Sequence, residues 1–483
     1  MAKAVKSAVK AFVVVWAVTT GAAALLGGAF ASGVGITGAF LFGVSTTTLA
    51  ALAGFSALLQ GTISDSIGSI GQNFGTKTST RQSAAPRQIV YGNCRVGGTI
   101  VHMETSGTDN FLLHMVIAIA GHEIEEITSV RLNDNDLTTT TSTISGSTVH
   151  TVTNSDYTNT DNDNNFGSGR LIRFSSEDGS QSAVNGFMNA QLTSMGTTDK
   201  FLGVSYVYIQ MVFDNEAFGG GIPSISFKVK GKNVFDPRTN ANATTDLQRS
   251  NPALIIRDYL TNTEYGLKAK TTEINDTTNA GGFASAANTC DQNVTLSDGS
   301  STEKRYTANG FADFSANGKN IIEGVLSSMA GRFSYVNGQF CLFAGASQTP
   351  SLTITDDELL APLSLSTNTD SGDLYNTVKP VYVDSTQNFV GTDAQVYQDT
   401  TMLNADTPSG ESTANYVKQM EVQLPFTVTN TMAQRLGRIA LKSQRQTVTL
   451  SCLTSLQFMR LQPNDWVYVT NTRLGFTQKV FEV

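Results

Sequence analysis

The sequence predicts an α+β chain that is mainly β, with a few short helices and an apolar helical segment at its front. Three observations predict it. From residue 87 onward, short apolar runs, several of them alternating with polar residues, recur between Gly, Asn and Asp turns. Helical periodicity is confined to a few short windows. Residues 11–64 carry no charged side chain, and no Asp or Glu precedes Asp65.

Composition narrows the class. A chain of 483 residues has room for about three or four domains. Charged residues make up only 15%, against ~25% in ordinary soluble proteins. Thr, Ser, Asn and Gly take their place, which suits β-rich extracellular or virion proteins. The net charge of −8 argues against a general nucleic-acid binder, which presents a basic face. An acidic wall does suit a passage through which DNA slides without sticking. Cys94, Cys290, Cys341 and Cys452 are far apart and form no CxxC pair. They read as small buried apolar residues rather than a disulfide framework.

The front segment, preceded by Lys3, Lys6 and Lys10, admits four readings. Spanning helices need roughly 20 apolar residues each, and 11–64 supplies two, broken near Gly27-Gly28 and Ser45-Thr46-Thr47-Thr48. Its Gly and Ala content lets helices approach closely. A secretory signal is the second reading, with Ala29-Phe30-Ala31 before Ser32 as the cleavage pattern. The third is a helical hairpin packed in the core of a homo-oligomer. The fourth is a segment stored in an assembly and later delivered into a bilayer.

Residues 68–83 are rich in Gly, Ser, Thr and Gln and read as linker. Strands are expected at 89–91, 98–103, 111–120 and 124–132, the last closed by the turn at 133–136. The Thr/Ser/Asn/Asp-rich stretch 138–169 reads as an exposed loop or a long surface hairpin. Strands resume at 171–174, 201–213 and 224–229. Asn251-Pro252 is a helix-start signal for 251–265, with Gly266 placed to stop the helix. A weaker helix follows at 283–290. Another spans 317–331, with Ile321, Ile322, Val325, Leu326 and Met329 on one face and Gly331 ending it. Asn337-Gly338 between apolar runs is a strong hairpin signal. The last helix is expected at 431–442 and the last strands at 446–453, 466–470 and 479–483.

No catalytic constellation emerges, and the expectation is a protein that is not an enzyme and uses no cofactor. His102, His114 and His122 share one β-rich stretch, with Glu123 beside the last, but lack the tight ligand pairs of a zinc site. They read as structural or surface residues. Gly219-Gly220-Gly221 has no Lys-Ser/Thr after it and is not a phosphate loop. There is no Gly-x-Ser-x-Gly elbow. Asp356-Asp357-Glu358 after Thr355 reads as an acidic first turn. Phe311, Phe314 and the aromatics of 331–343 read as core.

The order of short motifs carries a resemblance. APRQIVYG at 85–92 and RVGG at 95–98 come first, followed by EEITSVRLN at 125–133. NPA at 251–253 pairs with YGL at 265–267, and RYTANG at 305–310, SMAG at 328–331 and FAGA at 343–346 come next. LPF at 424–426, AQR at 433–435, Arg445-Gln446 and KVFEV at 479–483 complete the series. In this order, over about 81–483, the chain resembles the central tail-hub, or tip attachment, proteins of long-tailed bacteriophages (phage lambda J-like). Many relatives also carry an apolar segment before the first barrel. Relatives commonly continue into fibronectin-like modules and a receptor-binding end, which this sequence does not include.

The resemblance implies barrel-like hub domains and a division of the chain. An apolar helical segment occupies 1–66 and a linker 67–86. A first barrel-like hub domain takes 87–236, with the Thr/Ser/Asn loop 138–169 inserted. An α+β hub domain takes 237–360 and a second barrel-like hub domain 361–483. It implies a homotrimer at the virion tail tip that caps the tail tube, contacts other tail-tip and tail-tube proteins, and holds the tape-measure protein. DNA would pass only in transit, without specific binding, and the protein would take part in host attachment and genome ejection. The axial-bundle or membrane-active candidates are Phe12, Val15, Trp16, Leu25, Leu26, Phe30, Phe40, Phe42, Leu49, Leu52, Phe55 and Leu58, with host-membrane contact through 11–64. The alternatives are a secreted or surface-anchored, adhesin-like bacterial β-protein, and a tail-associated hydrolase, which would need paired carboxylates or a metal site.

Overall fold

The computed structural model describes residues 79, 85–367, 374–446 and 448–483. Its class is the α+β, mainly β one expected. No sheet closes into a barrel among the described residues.

Residues 93–230 form a two-sheet sandwich. Strands β1 (Gln88–Tyr91), β2 (Asn93–Val96), β3 (Thr99–Ser106), β4 (Leu112–Ala120), β5 (Glu126–Leu132), β6 (Asn135–Asp136), β7 (Thr139–Ile144), β8 (Ser147–Val152) and β9 (Ile172–Glu177) come first. Helix α1 (Gly186–Gln191), β10 (Ser205–Val212), α2 (Asn215–Phe218) and β11 (Ile225–Lys230) follow. One sheet has the order β3-β4-β10-β9-β8-β7 and the other β2-β11-β5-β6. Cys94, Val130 and Phe227 of the smaller sheet share one core with Ile117, Ile209 and Phe174 of the larger. All eight residues of β10 are buried, because the strand has a core on each face. Val207, Ile209 and Met211 enter the core between the sheets. Tyr206 and Tyr208 enter a second one roofed by Phe187 and Met188 of α1.

The stretch 138–169 resolves into structure. Residues 139–152 form the β7–β8 hairpin, closed by Ser145 and Gly146, both at positive φ (50° and 81°). Val149 and Val152 anchor it from opposite faces. The Ser145-Gly146 turn and the β-branched Thr and Val residues of both strands select the hairpin despite the low-complexity composition.

The middle of the chain mixes short hairpins with helices. It runs β12 (Phe235–Asp236), β13 (Ala241–Asn242), α3 (Asp246–Arg249), α4 (Pro252–Thr261), α5 (Phe283–Cys290), β14 (Asn293–Thr295), β15 (Thr302–Lys304), β16 (Gly310–Asp313), α6 (Gly318–Ser327), β17 (Arg332–Val336) and β18 (Gln339–Phe343). The Asn251 side chain caps α4 through the Ala253 N–H at 3.1 Å. Gly266 does not stop this helix. It ends at Thr261, where Asn262 turns extended and its side chain accepts from the N–H groups of Glu264 and Tyr265. Nor does Gly331 supply the left-handed residue after α6. Ala330 does (φ 47°), and the Gly331 N–H then reaches back to Leu326 O at 3.0 Å.

The remainder comprises β19 (Leu352–Ile354), β20 (Ser364–Ser366), β21 (Thr377–Asp384), β22 (Val390–Asp393), β23 (Tyr397–Gln398), α7 (Thr400–Asp406), β24 (Gln419–Leu424), α8 (Asn430–Gln444), β25 (Thr449–Ser451), β26 (Trp466–Asn471) and β27 (Phe476–Glu482). β21 pairs antiparallel with β22 and β23, and parallel with β24. Helix α8 crosses β21 at Gly437. A Cβ there would lie 2.6 Å from Pro380 Cγ, so the approach requires glycine. Val378, Val422 and Leu436 share one core with α4, α5 and α6. A small core of Ile354, Phe458, Leu461, Val467 and Val469 lies under the β19-β26-β27 sheet.

Strand β1 is the seam between the two large cores. Ile89 and Tyr91 point into the core of the middle region and Val90 into the sandwich. Its edge pairs antiparallel with β16.

Candidate functional site

The twelve large apolar residues singled out in the front segment, Phe12 through Leu58, lie outside the described residues. Ser79 is the described residue nearest that segment. Its N–H bonds Ile225 O at 2.9 Å and its hydroxyl bonds Gly97 O, filling the edge of β11 where β2 ends. No described helix is long and apolar enough to cross a membrane.

The structure does not bring the three histidines together. Among the described residues, no group of three or more His, Cys, Asp or Glu side chains could hold a metal ion. Each of the three has its own partners, set by its place on β3, on β4 or in the β4–β5 connection.

His102 sits on β3 with Glu104, and Ser194, just past α1, reaches both. Ser194 Oγ donates to Glu104 Oε2 and lies 3.0 Å from His102 Nε2. The same Nε2 is 3.2 Å from Glu104 Oε2. A Ser–His–acid relay needs the two ring nitrogens to face different partners. Here one nitrogen faces both, so the trio is a hydrogen-bonded clasp. Burial alone would raise the Glu104 pKa, but bonds from Ser194, the Thr193 N–H and His102 together hold it below the ordinary value.

His114 on β4 is fully buried. Its Nε2 is 2.7 Å from Ser106 Oγ and its Nδ1 2.7 Å from Tyr208 Oη. Gln210 Nε2 donates to Tyr208 Oη at 2.8 Å, and Arg173 Nε donates to Gln210 Oε1 at 2.5 Å. Burial pushes the imidazole pKa down and Arg173 adds to that, against an opposing pull from Glu104.

His122 belongs to the seam, where a polar cluster joins the two large cores. The Val90 N–H donates to His122 Nε2 at 2.9 Å, and Nδ1 is 2.7 Å from Glu123 O. One nitrogen therefore accepts and the other donates, which fixes a neutral tautomer. The ring lies 5.7 Å from that of Tyr265. Tyr91 Oη and Tyr265 Oη both donate to Asp258 Oδ2, at 2.7 and 2.9 Å. Lys232 Nζ donates to Tyr265 Oη at 2.7 Å and lies 3.2 Å from Asp258 Oδ1. Burial, reinforced by Lys232, holds the His122 pKa at about 4. Burial and then the Asp258 charge push Tyr91 well above the ordinary phenol value. The cluster locks β1 and the β4–β5 connection to helix α4.

In the sequence Asp258 falls inside the helix expected at 251–265, while Tyr91 and Tyr265 belong to separate motifs, and nothing joins the three. The available signal was an acid on an apolar helix face, which demands buried partners.

Large apolar side chains also reach solvent at Leu360, Leu456 and Met459, exposed by 67, 77 and 51%. The Leu360 N–H bonds Leu453 O at 2.9 Å, which places Leu360 beside the segment carrying the other two.

No protein-family model matches the sequence, and no curated protein matches it. Solved structures do. A chain from the virion of a native gene transfer agent particle aligns over 92% of this chain and 93% of its own length, at 13% identity and a TM-score of 0.54. The 43 kDa tail protein of prophage MuSo2 from Shewanella oneidensis aligns over 83% of this chain and 92% of its own, at 8% identity and a TM-score of 0.26. The first likeness establishes a shared fold across nearly the whole chain. The second is too distant to bear on it.

Proposed function

We propose that this chain is a structural virion protein, the central hub of a phage-type tail tip, related to the tip attachment family. The observation that carries the reading is the extent of the fold likeness to a gene transfer agent virion chain, 92% of the sequence at a TM-score of 0.54. A shared fold over that length points to the role of the whole body rather than of one borrowed module.

In this reading three copies close about an axis. A cyclic arrangement lets one chain type bridge a hexameric tail tube above and a threefold tip below. Low charge and abundant Thr, Ser and Asn suit permanent contacts with tail-tube and tail-tip proteins and with the tape-measure protein. The net charge of −8 suits a channel that DNA crosses without adhering. The apolar segments at 11–64 gather near the axis, where they close the tip and take part in host attachment, membrane contact and genome ejection. The role is assembly and gating, without a catalytic step.

Deletion of 11–64 tests it in particles. The truncated chain should fold and stay soluble, while particles built with it should fail at tip assembly or at genome delivery. Particles that assemble and transfer DNA normally would overturn the proposed role of the segment.

A further inference from the structure

The six-stranded sheet ends differently on its two sides. On the β3 side the ladder is broken by a register shift between Ile100 and His102. Glu104 and His102 stand on that strand, and Thr193 and Ser194 bond to Glu104. β27, the edge of another sheet, carries Lys479 and a positive φ at Gln478 (49°). Bulges, charges and cover of this kind keep an edge from pairing with other chains.

β7 has none of these protections. Its sequence is TTTSTI, its pairing with β8 is regular over all six residues, and residues 138–153 contain no Lys, Arg, Asp, Glu or Pro. The Thr153 N–H bonds Thr138 O at 2.8 Å. In an antiparallel ladder this pattern repeats every second residue. The backbones of Thr140, Ser142 and Ile144 therefore bond to β8, and those of Thr139, Thr141 and Thr143 face outward. Residues 140–143 are exposed, and no described strand lies beyond them.

We propose that β7 is a strand-pairing surface whose occupant is β7 of a second copy of this chain, antiparallel about a two-fold axis at Thr141. The outward groups are symmetric about that residue. Thr141 faces Thr141 of the partner subunit, and Thr139 faces Thr143 of the partner subunit, each pair exchanging two backbone hydrogen bonds. A two-fold pairing sets every residue near its own copy, so any charge on the strand would repel itself. The strand has no charge, and Thr–Thr cross-strand pairs are favourable. This contact is separate from the cyclic closure proposed above, and its failure leaves that reading standing.

The test uses the full chain and two variants, Thr141→Lys and Thr141→Val. Sedimentation equilibrium gives the association constant, and hydrogen exchange reads the amides of 139–144 at high and low concentration. The wild type and Thr141→Val should associate, with the amides of Thr139, Thr141 and Thr143 protected only at high concentration. Thr141→Lys should weaken this step by at least ~10-fold through like-charge repulsion with an unchanged circular dichroism spectrum. Free exchange of those amides at every concentration would overturn the proposal, as would association indifferent to Thr141→Lys.

Discussion

Tyr91 and Asp258 meet across the seam between the two large cores, the phenol donating to Oδ2 at 2.7 Å. Strand β1 contributes side chains to both cores, so this bond ties the sandwich to helix α4. The pair also explains how an acid is tolerated at a position 12% exposed: two phenols and an ammonium satisfy it.

Removing the acid should cost more than removing the phenol. Asp258→Ala leaves the buried Tyr91 hydroxyl without an acceptor and is expected to destabilise the fold by about 3 kcal/mol. Tyr91→Phe removes one donor of three and should cost about 1 kcal/mol. Urea denaturation of both single variants and the double variant gives the coupling. Additive losses would mean the two groups do not act as a pair.

Stability should fall on acidification because of His122. Its pKa is about 4 in the fold against 6.5 for the free side chain. Between those values the unfolded chain holds more protons, so stability is fully present above pH ~6.5 and is lost as pH falls toward 4. The integrated effect is about 3 kcal/mol. His122→Gln should flatten that part of a melting-temperature-against-pH profile, while the wild type retains the slope.

Gly437→Ala sets two effects against each other. Alanine favours a helix over glycine by about 1 kcal/mol. The added Cβ would meet the Pro380 ring at 2.6 Å, and overpacking of a well-filled site costs about 1–3 kcal/mol. A proline ring cannot swing aside, so the clash should win by about 1 kcal/mol in chemical denaturation.

Much of the fold was legible where local chemistry is strong. Asn337-Gly338 marks the β17–β18 turn, with both residues at positive φ, and Asn251-Pro252 marks the start of α4. Between 374 and 423 the sequence pattern predicts no individual element, only membership of the domain expected at 361–483. The central strand there, β21, carries Pro380 in mid-strand and pairs in parallel with β24, which follows β22, β23 and α7 in the chain. Proline argues against a central strand, and parallel pairing leaves no turn signature. The seam cluster was invisible for another reason. Tyr91 and Asp258 are 167 positions apart, and nothing local to either reports the other.

The central claim is cyclic closure of three chains. Native mass spectrometry of the full-length Thr141→Lys chain, in which two-fold strand pairing is blocked, tests it most directly. The account predicts particles of three copies. A population of single chains at every concentration would contradict it.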